Sequence, residues 1–455
     1  MSGHLTAKKL LSSFQKIASN PEVRKVVKNI TWLLFDKGIR LGLGFFVGAW
    51  VIRYLGTERF GMMTYAYSFT ALFGAAATLG MERIIIAELV RKPEQTNEIL
   101  GSAFALRVIG SLVAMFLAIV AMAILEAEES TPTVFTAIFS LTFLFQSLDV
   151  IEQKFQSSLY AKRIVVAKNS AYLLASAFRV IAILAHADTM VFVILSTLEI
   201  SLGCLFLWWT YQRTEGDILC WKPSFVKMKQ YFWESIPLLL SYLSYLIYSR
   251  IDAVMLKNML SDTKQVGLYG ASLKLFDIPM SIYTMIVVSF YPKLTEIFEK
   301  KNAYFLENIA QLTAYTTLLS YAGLIFCLLL GEWAILLVFG EAYQGTYPIF
   351  LCHLIGVVFV YNGAFRTTFL TLSGKNHLIL YNSIFSALLN VVLNYWLIPI
   401  YEGLGAALAT ALTQLMSFFV FNLFFPETRV LFKVQSQNFI AFSLWKPYVK
   451  QYVTK

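Results

Sequence analysis

Charge is scarce in this sequence. Asp, Glu, Lys and Arg make up only 14% of 455 residues, against 58% hydrophobic, and a soluble domain of that length could not hide so much apolar surface. Cysteine is scarcer still. Cys204, Cys220, Cys327 and Cys352 stand singly, with no CxxC pair and no histidine at ligand spacing, so neither a disulfide framework nor a zinc site is indicated. The four histidines, His4, His186, His353 and His377, are scattered, and they form neither a metal box nor a nucleophile-base pair. A GxxxxGK[ST] loop is missing, so ATP hydrolysis by this chain is not expected. Strand-type alternation is also missing, which argues against a barrel.

What the sequence has instead is apolar blocks of about 20 residues, the length a helix needs to cross roughly 30 Å of hydrocarbon. Twelve spans are expected, near residues 30–54, 61–81, 101–125, 134–151, 164–185, 190–211, 235–256, 267–291, 309–330, 346–370, 378–399 and 405–425. The fold class is therefore all-α integral membrane protein, and the segment Glu332–Phe339 either prolongs the ninth span or turns at the surface. About 25 of the 37 Lys and Arg residues fall in the N-tail, in loops after even-numbered spans and in the C-tail. The opposite loops hold only Arg59, Lys257 and Lys264, which puts both termini in the cytoplasm. The net charge of +10 serves topology, not nucleic-acid binding.

Five parts follow: an N-tail over 1–29, an N-lobe over 30–211, a cytoplasmic linker over 212–234, a C-lobe over 235–425 and a cytoplasmic C-tail over 426–455. In the N-tail Leu10, Leu11, Phe14, Ile17 and Ala18 lie at helical spacing opposite Lys9, Ser12, Ser13 and Lys16, the pattern of a helix lying on an anionic leaflet or of a solvated tail. A weak internal repeat supports the two lobes. Tyr54 to Ser68 and Asn258 to Lys274 each pass through a polar turn to a bulky apolar residue and a glycine, Phe60-Gly61 and Val266-Gly267. Substrate would then bind in a central cavity between two six-helix lobes.

Nine basic residues remain inside the spans: Lys37, Arg40, Arg53, Arg107, Lys168, Arg179, Arg250, Lys274 and Arg366. A charge at a helix centre costs at least about 2.5–3.5 kcal/mol, so each must face water, find a partner or reach the interface. The intramembrane acids are fewer, namely Asp36, Asp149, Glu199, Asp252 and Asp277, and the net positive interior favours an anionic cargo. Asp36 and Arg40 share a helical face beside Lys37, either as a self-neutralising pair or as a phosphate-greeting cluster. Lys37, Arg40 and Arg107 at one depth, with Arg179, Arg250 and Lys274 at another, read as a ladder of cations for a phosphate in transit; pairing of Arg250 with Asp277 is the structural alternative. Asp36, Glu199, Asp252 and Asp277 are candidates for ion coupling or for salt bridges. Arg53, Lys168 and Arg366, near span ends, are read as snorkelling. Gly38, Gly42, Gly44 and Gly48 allow close approach or bending of the first helix, and Pro279 is a candidate hinge.

The run Val27 to Arg91 resembles the opening of the polysaccharide-biosynthesis or O-antigen (Wzx-type) flippases, a branch of the multidrug/oligosaccharidyl-lipid/polysaccharide exporter superfamily. SRIDAVMLKNML, VGLYGASLKLFDIP, YPKLTEIF, VFGEAY and NVVLNYWLIPIYEGLGAALATALTQ resemble later blocks of that family in order. The resemblance implies a non-enzymatic transporter without cofactor or metal. Its cargo would be undecaprenyl-diphosphate-linked oligosaccharide, moved across the bacterial inner membrane by alternating access and met by Lys37, Arg40, Arg179, Arg250, Lys274 and Arg107. Partners implied are membrane lipids, the polysaccharide polymerase and the chain-length regulator. A lipid II-type flippase, a drug or cation exporter of the same superfamily, and a membrane-embedded polymerase or ligase are the alternatives; the short outer loops disfavour the last.

Overall fold

A computed structural model describes residues 21–300 and 304–440, so the expected N-tail helix at Leu10–Ala18 lies outside the described residues. Among the described residues there are helices and no strands. They are α1 (Pro21–Leu72), α2 (Gly74–Thr78), α3 (Glu82–Arg91), α4 (Thr96–Leu125), α5 (Ser130–Gln146), α6 (Val150–Ser157), α7 (Ala161–Leu184), α8 (Thr189–Thr214), α9 (Phe225–Leu260), α10 (Thr263–Glu299), α11 (Phe305–Phe339), α12 (Thr346–Asn362), α13 (Arg366–Leu372), α14 (Asn376–Phe418) and α15 (Arg429–Asn438).

Ten helical stretches are long and apolar enough to cross a membrane, and the first and last of them are bent double. Within α1 the chain breaks at Gly56, at φ 72° and ψ 173°, a conformation open essentially to glycine alone. Within α14 the break is at Glu402, at φ 53° and ψ −130°, where the Glu402 carboxylate accepts from the Gln265 amide. Each bent helix therefore supplies two arms, and the expected twelve spans are accounted for. Glu332–Phe339 continues α11 without interruption.

All helices from α1 to α8 form one lobe, and α9 to α14 form the other. Both described termini lie at one end of the bundle, called here the near end; Gly56, Ser261 and Glu402 lie at the far end. The largest apolar core joins the lobes at the far end, where Ile52, Leu55 and Phe60 meet Val266, Leu268, Phe339 and Tyr343. Below it the first half of α9 stays packed on the N-lobe, with Tyr231 buried among Ile85, Leu89 and Trp221, while α1 and α10 carry little buried surface. Among the described residues α1 buries no side chain before Ala49, and beyond Ser272 α10 buries only Leu294.

The described part of the C-tail is packed. Helix α15 docks beneath the C-lobe through Leu431, Val434, Gln435 and Asn438. Buried Gln435 donates to the Phe418 carbonyl at 2.9 Å and accepts from Asn422 Nδ2 at 2.8 Å, while Asn438 donates to the Ala310 carbonyl at 2.8 Å. Gln435→Leu strands these buried groups, each worth about 1–3 kcal/mol when left unpaired, and should lower the thermal unfolding midpoint of the purified protein. An unchanged midpoint would contradict the docking.

Candidate functional site

The internal repeat turns out to be the seam between the lobes. Thr57 and Gly61 on the second arm of α1 correspond to Thr263 and Gly267 on α10, and the two pairs pack against each other. A Cβ on Gly267 would stand 2.8 Å from the Thr57 carbonyl carbon and 3.0 Å from Thr57 Cα; one on Gly61 would stand 2.8 Å from the Thr263 carbonyl carbon and 2.9 Å from the Gly267 nitrogen. Only residues without side chains let these backbones touch. One turn deeper, a Cβ on Gly270 would meet the Thr64 side chain at 2.9 Å. The seam is fastened by Tyr343 Oη donating to the Ile52 carbonyl at 2.8 Å, by Arg53 Nη1 donating to the Leu337 carbonyl at 3.2 Å and by Lys257 with Glu126 at 3.6 Å. At the near end, by contrast, the recorded polar links between lobes come from the linker and the start of α9, such as Lys227 with Glu98 at 3.1 Å.

Below the seam the expected cation ladder divides into two groups, Arg40 with Arg179 about Tyr172 and Arg250 with Lys274 about Asp277. On α1, Arg40 pairs with Asp36 at 3.1 Å and lies 5.3 Å from the Tyr172 ring centre; the side chain of Lys37 lies outside the described residues. On α7, Arg179 pairs with Glu199 of α8 at 2.8 Å and donates to Ser196 at 3.3 Å. Arg250 on α9 and Lys274 on α10 differ from these. Both lie in the field of Asp277, yet among the described residues neither closes an ion pair. Arg250 instead lies 5.5 Å from the Tyr67 ring centre, and Lys274 is exposed.

Arg107 joins neither group. It is 2% exposed inside the N-lobe, where Nη1 donates to the Gln146 carbonyl at 3.4 Å and Nε finds no partner. Two of the cations read as snorkelling are also enclosed. Lys168 is held by Asp149 at 3.2 Å and by Glu152, and Arg366 is buried, donating to Asn422 Oδ1 at 2.7 Å. Their nearness to span ends does not free them, because α6 covers one and the α15 junction covers the other. Of the four glycines on the first arm of α1, Gly38, Gly42 and Gly48 have open space where a side chain would be, and Gly44 is closely approached by Tyr172 Oη at 2.9 Å. Pro279 sits within α10, its carbonyl taken by Tyr361 Oη at 2.6 Å.

A second polar centre lies inside the C-lobe. The buried Asp252 carboxylate of α9 accepts from Tyr269 of α10, from Asn394 at 2.5 Å and from Thr410 at 2.7 Å, the last two on the two arms of α14. Asn390, one turn from Asn394, joins it at 3.1 Å. Among the described residues no cation touches Asp252, so its burial must be balanced by a proton or a bound monovalent cation. The Asn394 side-chain oxygen beside this centre is buried and lacks a donor. Asn390, Asn394, Tyr269 and Thr410 were not singled out in the sequence. The signal was there, because two asparagines at i, i+4 put amides on one face of an otherwise apolar helix. Among the described residues no three His, Cys, Asp or Glu side chains meet as a transition-metal site requires.

Known proteins share this architecture. A multidrug resistance MATE family transporter of the MOP superfamily, solved in an inward-facing conformation, superposes with a TM-score of 0.68 at 16% identity, covering 91% of this chain and 99% of that one. The lipid II flippase MurJ, in an inward closed conformation, superposes with a TM-score of 0.66 at 14% identity, covering 94% and 95%. The fold is thus the two-lobed, twelve-helix membrane transporter fold. In sequence, the capsular polysaccharide biosynthesis protein CapF of Staphylococcus aureus is 22% identical over 411 residues, which cover 88% of this chain and 100% of CapF. The family model of polysaccharide biosynthesis proteins matches residues 26–298, more than half of the chain, and the chain therefore belongs to that family.

Proposed function

We propose that this multi-pass membrane protein is a flippase for a lipid-linked oligosaccharide, undecaprenyl-diphosphate carrying an O-antigen or related surface-polysaccharide repeat unit. The observation that carries the proposal is the pair Arg250 and Lys274, two cations without ion pairs at the meeting of the lobes. Unpaired positive groups at membrane depth suit a diphosphate and repel a cationic drug. Both termini face the cytoplasm of a bacterial inner membrane, so the near end is the loading side and the sealed far end the release side. Rocking of the lobes would break the Thr57–Gly267 seam and present the headgroup outward. The polymerase and the chain-length regulator are the expected downstream partners. In cells, loss of the protein should abolish surface polysaccharide while leaving peptidoglycan synthesis and drug tolerance intact. Loss of peptidoglycan synthesis or of drug tolerance instead would move the assignment to a lipid II flippase or a drug exporter.

Asp252 is the acid proposed to carry the coupling ion, since Asp36 and Glu199 are occupied by arginines and Asp277 faces two cations. Asp252→Asn keeps the side chain's size and one of its two acceptor oxygens, so the C-lobe should fold while stimulation of transport by an imposed proton or sodium gradient disappears. A variant that still responds to either gradient would remove Asp252 from this role.

A further inference from the structure

Three tyrosines beside the free cations leave their hydroxyls without a partner among the described residues, although the Tyr67 ring packs edge-on against Phe139. Tyr67 on the second arm of α1 and Tyr242 and Tyr245 on α9 are 41%, 37% and 56% exposed. Among the described residues none of their hydroxyls has a hydrogen-bond partner. Tyr54 on the first arm of α1, by contrast, donates to the Ala187 carbonyl at 2.8 Å, and Tyr269 on α10 donates to Asp252. A hydroxyl left unpaired in hydrocarbon is costly, so hydroxyls at this depth must meet water or a polar ligand.

Their rings are organised. Tyr242 and Tyr245, three residues apart on one face, have centroids 6.3 Å apart and planes inclined by only 17°, a stacked pair. Tyr67 and Arg250 both lie within electrostatic reach of Tyr242, and Arg250 caps the Tyr67 ring. Along α9 the pair lies five and eight residues from Arg250, about 7.5–12 Å toward the near end.

We propose that Tyr67, Tyr242 and Tyr245 form a stacking platform for the sugar of the lipid-linked substrate nearest its diphosphate. The inference rests on the flippase reading and specifies which side chains hold the glycan. A pyranose shows C–H groups on a face and hydroxyls at its edge, and a tyrosine offers the complementary apolar ring and polar tip. A diphosphate held by Arg250 and Lys274 would place its first sugar within reach of these rings. An isoprenoid chain would have no use for three free hydroxyls.

The test measures binding of two probes to purified wild type and variants. One is undecaprenyl-diphosphate bearing the oligosaccharide; the other is undecaprenyl diphosphate without sugar. Wild type should prefer the glycosylated probe. Tyr242→Ala/Tyr245→Ala should reduce that preference about tenfold while affinity for the sugar-free probe stays unchanged, which also certifies the fold. Tyr242→Phe/Tyr245→Phe, keeping the rings, should retain most of the preference. Equal weakening for both probes would mean that the rings meet the isoprenoid or the diphosphate, and would overturn the platform, as would an unchanged preference in the alanine variant. Wild type that binds both probes equally overturns the platform alone, and wild type that binds neither overturns the flippase reading and the platform with it.

Discussion

Gly267→Val should leave the protein inserted and folded but unable to seal its far end. The added side chain must occupy space held by Thr57 backbone, 2.8 Å from its carbonyl carbon, and backbone in a helix cannot step aside as a flexible side chain can. Overpacking of this kind costs about 1–3 kcal/mol. Because the clash exists only when the lobes meet, the cost falls on the closed state alone and shifts the closed-to-open ratio by about 5- to 150-fold. The readout is accessibility. Thr64 lies one turn beneath the contact, against Gly270, so a cysteine at Thr64 should react with an impermeant thiol reagent from the far-end side much faster in the Gly267→Val background. Transport should fall by about 5- to 150-fold. Gly42→Ala serves as a control, since nothing lies within 4 Å of the added atom, and it should change neither quantity. Equal labelling with and without Gly267→Val would show that the seam is not a gate.

The second large effect concerns charge. Arg250→Ala and Lys274→Ala should each weaken binding of the diphosphate-linked substrate by about 10- to 150-fold, the equivalent of one charge-assisted hydrogen bond of about 1.5–3 kcal/mol. Neither change breaks an ion pair, so thermal stability should move by less than about 0.5 kcal/mol. Arg179→Ala should behave in the opposite way. It strands Glu199, now paired at 2.8 Å, and should destabilise the N-lobe more than it weakens binding. Lys375→Ala, on a near-end loop beside Glu427, should affect neither. A binding loss shared equally by all four variants would reduce these cations to a general surface charge.

The difference between those arginines was not legible in the sequence, and the reason is geometric. Counting residues from a span end gives depth, but pairing depends on rotation about the helix axis and on which neighbour packs there. Depth made Lys168 and Arg366 look free to snorkel, whereas Asp149, Glu152 and Asn422 hold them. Depth also placed Arg107 in the ladder, although its rotation on α4 turns it into the N-lobe. The spans themselves were legible, because a 20-residue apolar block is a local property and its length is set by the bilayer. The Tyr54–Ser68 and Asn258–Lys274 repeat was visible too, but its meaning was not. That Gly61 and Gly267 face each other requires the two halves of the chain to be folded together. The Asp252 centre was only half visible for the same reason: the acid was noted, while Tyr269, Asn394 and Thr410 reach it from helices far along the chain. Helix α15 escaped notice because the face it buries carries amides, Gln435 and Asn438, alongside Leu431 and Val434, and a face of that composition reads as solvated.

Translocation in reconstituted vesicles is the most direct measurement. Fluorescent undecaprenyl-diphosphate oligosaccharide is placed in the leaflet facing the near end, and its arrival in the other leaflet is followed by a membrane-impermeant quencher. Wild-type vesicles should move it faster than protein-free vesicles, and Arg250→Ala/Lys274→Ala vesicles with the same amount of folded protein should not. Wild-type vesicles no faster than empty ones, or a double variant as fast as wild type, would contradict the claim that cations beneath the lobe seam carry a diphosphate-linked glycan across the bilayer.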